Sequence, residues 1–199
     1  MHIKDLIELD RRAVVETVRI VAGWDGRGAD RPTPCAGWTL ADLLAHCTVQ
    51  QHGFARAARG ERSILDDWHP GVLDDPVAAY RTASDDVVAA FAALDDPDAP
   101  MHLPELREEP VPAGLAVGFH LVDNVAHAWD IARSLGEVLR LDDEVLAAGR
   151  AIARNVPDDE RRDQPGGPFA RALPLVAGAG ALDETLRLLG RDPEWRRPG

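Results

Sequence analysis

Apolar residues at Ile3, Leu6, Ile7, Val14, Val18 and Val21 recur at helical spacing with charged residues between them, and predict a first helix over 3–21. A turn-rich stretch, 23–38, follows with Gly26, Gly28, Pro32 and Pro34. Thr39 and Asp42 then read as a capping box opening a second helix over 40–59, which Gly60 stops. Asp75-Pro76 supplies an N-cap with proline at the first helical position, so a third helix is expected over 76–94. Five prolines between 95 and 112 exclude a helix interior or central strand and predict a long loop with room for a short extended pairing. A fourth helix over 113–135 ends at Gly136, a shorter fifth covers 142–156, and a Gly/Pro-rich segment, 157–180, precedes a last helix over 182–189. The expected fold class is all-α: a four-helix bundle over 1–156, with 157–199 as a C-terminal loop and short helix packed on it.

The fourth helix departs from the ordinary amphipathic pattern. Leu115, Phe119, Leu121, Val122, Val125, Ala126, Ala128 and Trp129 cover nearly every direction around it, which predicts a buried helix. On that background His120, Asp123, His127 and Asp130 fall at i, i+3, i+7 and i+10, within a stripe roughly 80° wide at about 100° per residue. Buried ionisable groups need partners, water or a metal ion. Asp123 and His127, at i and i+4, converge as a carboxylate and an imidazole, which is half of a metal site. The third ligand has to come from another helix, and His46, beside Leu40, Leu43, Leu44 and Cys47, is the best candidate. Two histidines and one carboxylate leave positions open, as catalytic rather than structural zinc-type sites do. The alternative is a set of core histidines tied to Asp123, Asp130 or the backbone that only fixes helix register.

Composition narrows the function. The chain has 199 residues, 45% of them hydrophobic, and no apolar run near the roughly 20 residues of a membrane span. It opens Met1-His2-Ile3-Lys4-Asp5-Leu6 directly into the helical pattern, without the marks of a secretory signal, so a cytoplasmic location is expected. Twenty-two basic against 34 acidic side chains give a net charge of −12, spread along the chain, which argues against nucleic acid as a partner. Cys35 and Cys47 form no CxxC pair and could make at most one bridge.

Of the other polar residues, His120 is open to three roles: a fourth ligand, an acid/base group in the cleft, or a partner orienting the carboxylate. Asp130 could accept the free ring N–H of His127, although capping or pairing with Arg133 is the plainer use. Cys47 and Cys35 read as packing thiols, and Trp38 and Trp129 as core anchors. His2, His52 and His69 read as surface residues, whereas His102 lies in the loop that could fold over the bundle mouth. Gly166-Gly167 lacks the lysine and helix start of a phosphate cradle.

Two segments resemble a known family. Thr33-Pro34-Cys35-Ala36-Gly37-Trp38-Thr39-Leu40-Ala41-Asp42-Leu43-Leu44-Ala45-His46 is similar to the PCxGWTxxDLxAH segment of DinB-like metal-binding bundles, which include the N-terminal domain of mycothiol-dependent maleylpyruvate isomerase and related actinobacterial proteins. Asp123-Asn124-Val125-Ala126-His127-Ala128-Trp129-Asp130-Ile131-Ala132-Arg133 resembles the second motif, and Leu188-Leu189-Gly190-Arg191-Asp192-Pro193-Glu194-Trp195 the ending of the actinobacterial set. The resemblance implies a DinB-like bundle that holds a divalent metal, zinc or else nickel or iron, through His46, Asp123 and His127. It further implies mycothiol, a low-molecular-weight thiol, as cosubstrate in a transfer or isomerisation on a small molecule; His120, from its place on the stripe one turn before Asp123, is the candidate catalytic group. The thiol pocket would be built from loops such as 105–112 and 165–169. A homodimer is the assembly considered. The isomerase carries Glu where this chain has the shorter Asp123, and a separate C-terminal domain for which this chain has no room. The competing expectation is a non-catalytic metal-binding or stress-response module.

Overall fold

The computed structural model describes residues 2–164 and 169–197, and the statements below concern those residues. Four long helices form the bundle: α1 (Ile3–Ala22), α2 (Leu40–Ala58), α3 (Pro76–Ala92) and α4 (Ala113–Leu135). Two shorter ones, α5 (Asp143–Ala153) and α6 (Ala181–Leu188), follow, with 3-10 turns at Leu65–Trp68 and Glu160–Asp163. The expected all-α class and helix order are those observed. The glycine pair at 166–167 and most of the proposed 165–169 pocket loop lie outside the described residues.

Each bundle helix starts where its orphan N–H groups find an acceptor. His2 Nδ1 accepts from Lys4 N at 3.2 Å, Thr39 and Asp42 close the expected capping box on α2, and Asp75 caps α3 with Pro76 in its first turn. Helix α4 has no side-chain cap. Its first amides donate instead to the preceding loop, Ala113 N to Ala99 O at 2.9 Å and Gly114 N to Pro97 O at 2.8 Å. The proline-rich loop thereby sets the entry of α4. Within it, β1 (Pro100–Met101) and β2 (Val111–Pro112) pair antiparallel, Met101 opposite Val111. Gly136, at φ +75°, ends α4 in the left-handed conformation that favours glycine.

Helix α1 packs against α3 and α4, and α2 does the same, so the four close into a ring; α5 lies on α1 and α4, and α6 on α5. One apolar cluster joins Phe54, Trp68, Phe91, Met101 and Leu121, and a second joins Ile20, Leu40, Leu44, Tyr80 and Ile131. A third, Val122, Ala126, Ala153, Phe169 and Leu189, seats the C-terminal segment on α4. Helix α4 is buried on nearly all sides, as its sequence predicts, with Leu115 the exception on the exposed surface. No helix among the described residues is long and apolar enough to cross a membrane.

Candidate metal centre

The turn between α1 and α2 builds one wall of the site. Pro32 bridges Thr39, the Thr33 amide donates to Trp38 O at 3.2 Å, and Gly37 adopts φ +82°, which folds 32–39 back against the bundle. This carries Cys35 inward and leaves Trp38 36% exposed. Trp38 is therefore not the core anchor expected from its type. Its ring packs beside His46 (centroids 4.8 Å apart) and lies nearly parallel to His127 (6.4 Å, 15°).

His46 from α2 and Asp123 and His127 from α4 meet behind this wall, each offering one ligand-type atom within 4.8 Å of the others. One helical turn on α4 sets His127 Nε2 3.4 Å from Asp123 Oδ1. His46 and Asp123 are half-buried, while His127 is 4% exposed. The other nitrogen of His127, Nδ1, donates to Asp130 Oδ2 at 3.0 Å. A carboxylate on the remote ring nitrogen is the arrangement that fixes a metal-binding imidazole in orientation. Two imidazoles and one carboxylate make a donor set suited to a divalent transition ion with positions left open.

Burial, reinforced by the charge of His127, pushes His46 down to about 4, so this ring is neutral with a free lone pair at neutral pH. Burial also opposes ionisation of Asp123, but the charge and hydrogen bond of His127 and the nearby His46 hold its carboxyl well below the usual range. Burial opposes the imidazolium of His127 in turn, yet Asp123 and the hydrogen bonds to Asp123 and Asp130 raise it well above the ordinary histidine value. In the metal-free protein His127 is thus a cation clasped between two carboxylates. Cys47, fully enclosed, is pushed up to about 12 by burial and remains a neutral packing thiol.

The stripe on α4 divides between two sites. His120, 1% exposed, is not brought into the His46 group: Nδ1 lies 2.7 Å from Asp10 Oδ1 and Nε2 2.9 Å from Gln51 Oε1, with Phe54 and Phe91 packed edge-on against the ring. Asp130 does not pair with Arg133, whose guanidinium lies over the Trp129 ring and donates to Pro193 O. It is fully buried and its Oδ2 accepts from His127, from Cys35 Sγ at 3.1 Å and from Arg191 Nη2 at 3.2 Å. Cys35 is therefore a hydrogen-bonding partner rather than packing alone. The i+3 spacing from His127 signalled Asp130; nothing in the chain pattern signalled Cys35 or Arg191 as its partners. His102 meets Arg62 (3.4 Å) and belongs to neither cluster. His52 and His69 are exposed, as expected.

Comparison with known proteins follows the same lines. The family profile for the mycothiol maleylpyruvate isomerase N-terminal domain matches residues 11–132. Uncharacterized protein Rv0738 of Mycobacterium tuberculosis H37Rv is 33% identical over 160 residues, covering 80% of this chain and 83% of its own. Uncharacterized protein MT0763 of strain CDC 1551 matches to the same extent. Crystal structures of mycothiol-dependent maleylpyruvate isomerase share the fold: a histidine-to-alanine mutant at TM-score 0.62 and 14% identity, and a second structure with no named mutation at 0.55 and 15%, each over 77% of this chain and 70% of theirs. The profile match spans well over half the chain, including His46, Asp123 and His127, and this all-α bundle therefore belongs to the mycothiol maleylpyruvate isomerase N-terminal domain family.

Proposed function

We propose that the chain binds one divalent transition metal, zinc or else nickel or iron, through His46, Asp123 and His127, and works with a low-molecular-weight thiol, mycothiol, in a transfer or isomerisation on a small molecule. The observation that carries this reading is the convergence of those three donors within 4.8 Å at a half-buried position, with the far nitrogen of His127 held by a buried carboxylate. Membership of a family described by a mycothiol enzyme's domain supports the choice of thiol. When bound, a divalent cation supplies a deprotonated, nucleophilic thiol at neutral pH.

The protein's own groups divide the remaining work. His46 offers a neutral nitrogen and Asp123 an ionised carboxylate without any proton having to leave first. His127 presents Nε2 on the side of Asp123 because Asp130 holds Nδ1. Trp38 lies against both imidazoles and limits water on that side. His120, closed in by Asp10 and Gln51, positions α4.

The test offers mycothiol with a panel of small electrophiles to zinc-loaded protein. Metal-dependent thiol consumption that disappears in His46→Ala is the expected result. Metal bound without consumption of any electrophile favours the non-catalytic metal-binding or stress-response module.

A further inference from the structure

Arg191 comes from the turn after α6, outside the residues the family profile matches, yet it reaches the layer directly behind His127. It is 8% exposed, and Nη1 donates to Leu189 O at 3.0 Å while the guanidinium lies over the Phe169 ring at 5.4 Å. Nη2 lies 3.2 Å from Asp130 Oδ2 and 3.5 Å from Cys35 Sγ. The turn that delivers it requires glycine: Gly190 has φ +75°, and a Cβ there would meet the Ala170 backbone at 2.6 Å.

A buried ion pair is a poor way to gain stability, since an apolar side chain of similar size packs as well without desolvating charge. What this pair adds is orientation. Asp130 Oδ2 is held at once by Arg191 Nη2, Cys35 Sγ and His127 Nδ1, so three donors converge on one carboxylate oxygen and the guanidinium supplies the opposing charge. Cys35, His127 and Asp130 also fall within ligand distance of one another as a second candidate metal group. The guanidinium on both Asp130 and Cys35 already supplies the cation there.

We infer that Arg191 is a positioning residue: through Asp130 it holds His127 with Nδ1 as donor and Nε2 turned toward Asp123 and His46, making the C-terminal segment part of the metal centre. The inference rests on the ligand role given to His127 above, and its test separates the two. Arg191→Ala, with Arg191→Met in its place should the alanine variant fail to fold, is compared with wild type by two readouts. In metal-free protein, the His127 Nδ1 proton is followed by imidazole nitrogen–proton NMR, and its exchange with water is expected to speed up at least tenfold. In metal-loaded protein, cobalt(II) affinity is expected to fall about 10- to 100-fold, the range for lost partners of a ligating histidine. A folded variant in which either quantity keeps its wild-type value overturns the inference. Failure of wild type to bind cobalt or zinc overturns the metal reading instead, and the Nδ1 proton alone then decides the role of Arg191.

Discussion

Loading the site at about pH 6 releases about one proton per metal ion, because of the three donors only His127 starts with a proton to lose. His46, pushed down to about 4, is already neutral. At two pH units above that value only about one ring in a hundred is charged, so its contribution is negligible. Asp123 is held below the ordinary carboxylate range and contributes none. His127 is held well above the ordinary histidine value between Asp123 at 3.4 Å and Asp130 at 3.0 Å, and it must surrender the Nε2 proton while keeping that on Nδ1. Slightly acidic conditions keep metal-bound water, whose pKa is about 7 on zinc, out of the count. Titration calorimetry in buffers of different ionisation enthalpy measures the proton number directly. The same argument makes apparent affinity rise about tenfold per pH unit for as long as His127 is charged. A proton count near zero would show that His127 is neutral or not a ligand, and a count near two that His46 is charged; either refutes the electrostatic picture.

Further outcomes follow from other parts of the molecule. His120→Leu strands Asp10 in the core and destabilises the fold by about 3–5 kcal/mol in chemical denaturation, yet leaves metal stoichiometry unchanged, because His120 bonds Asp10 and Gln51 rather than the His46 group. Loss of metal in a folded His120→Leu protein contradicts that placement. Gly53→Ala places a methyl 2.6 Å from the Trp68 ring, itself 2% exposed. The variant loses about 1–3 kcal/mol to overpacking despite the better helix propensity of alanine, and a raised unfolding temperature would refute this. In metal-free protein, the raised value of His127 means that its stabilisation is complete below about pH 6.5 and is lost as pH rises through that raised value. The gap in unfolding temperature between wild type and His127→Gln therefore narrows toward alkaline pH. A gap that widens toward alkaline pH is the contrary result.

Local chemistry made the helices legible. The capping box at Thr39 and Asp42 and the Asp75-Pro76 start are written in adjacent residues, and both helices begin where those signals stand. Ends without such a signal drifted: α3 stops at Ala92 and α5 at Ala153, short of the expected 94 and 156. Helical periodicity exposed the stripe on α4 because Asp123 and His127 share one element, and the apolar neighbours of His46 placed it on the inner face of α2. Periodicity carries no information about partners on other elements. Asp130 is met by Cys35, 95 positions away, and by Arg191, 61 away. His120 is met by Asp10 at a separation of 110. These distant partners decide which members of the stripe lie at the candidate metal centre and which lie in the core. Trp38 lies outward for a related reason: its position depends on the fold of the 32–39 turn, not on the size of its side chain.

The central claim, a single metal held by His46, Asp123 and His127, is tested most directly by elemental analysis of untagged protein purified without chelator, beside His46→Ala and His127→Ala. About one equivalent of a transition metal is expected in wild type, lost in both folded variants. No metal in wild type, even after zinc, nickel or iron is supplied, or full occupancy retained in His127→Ala, would contradict the claim.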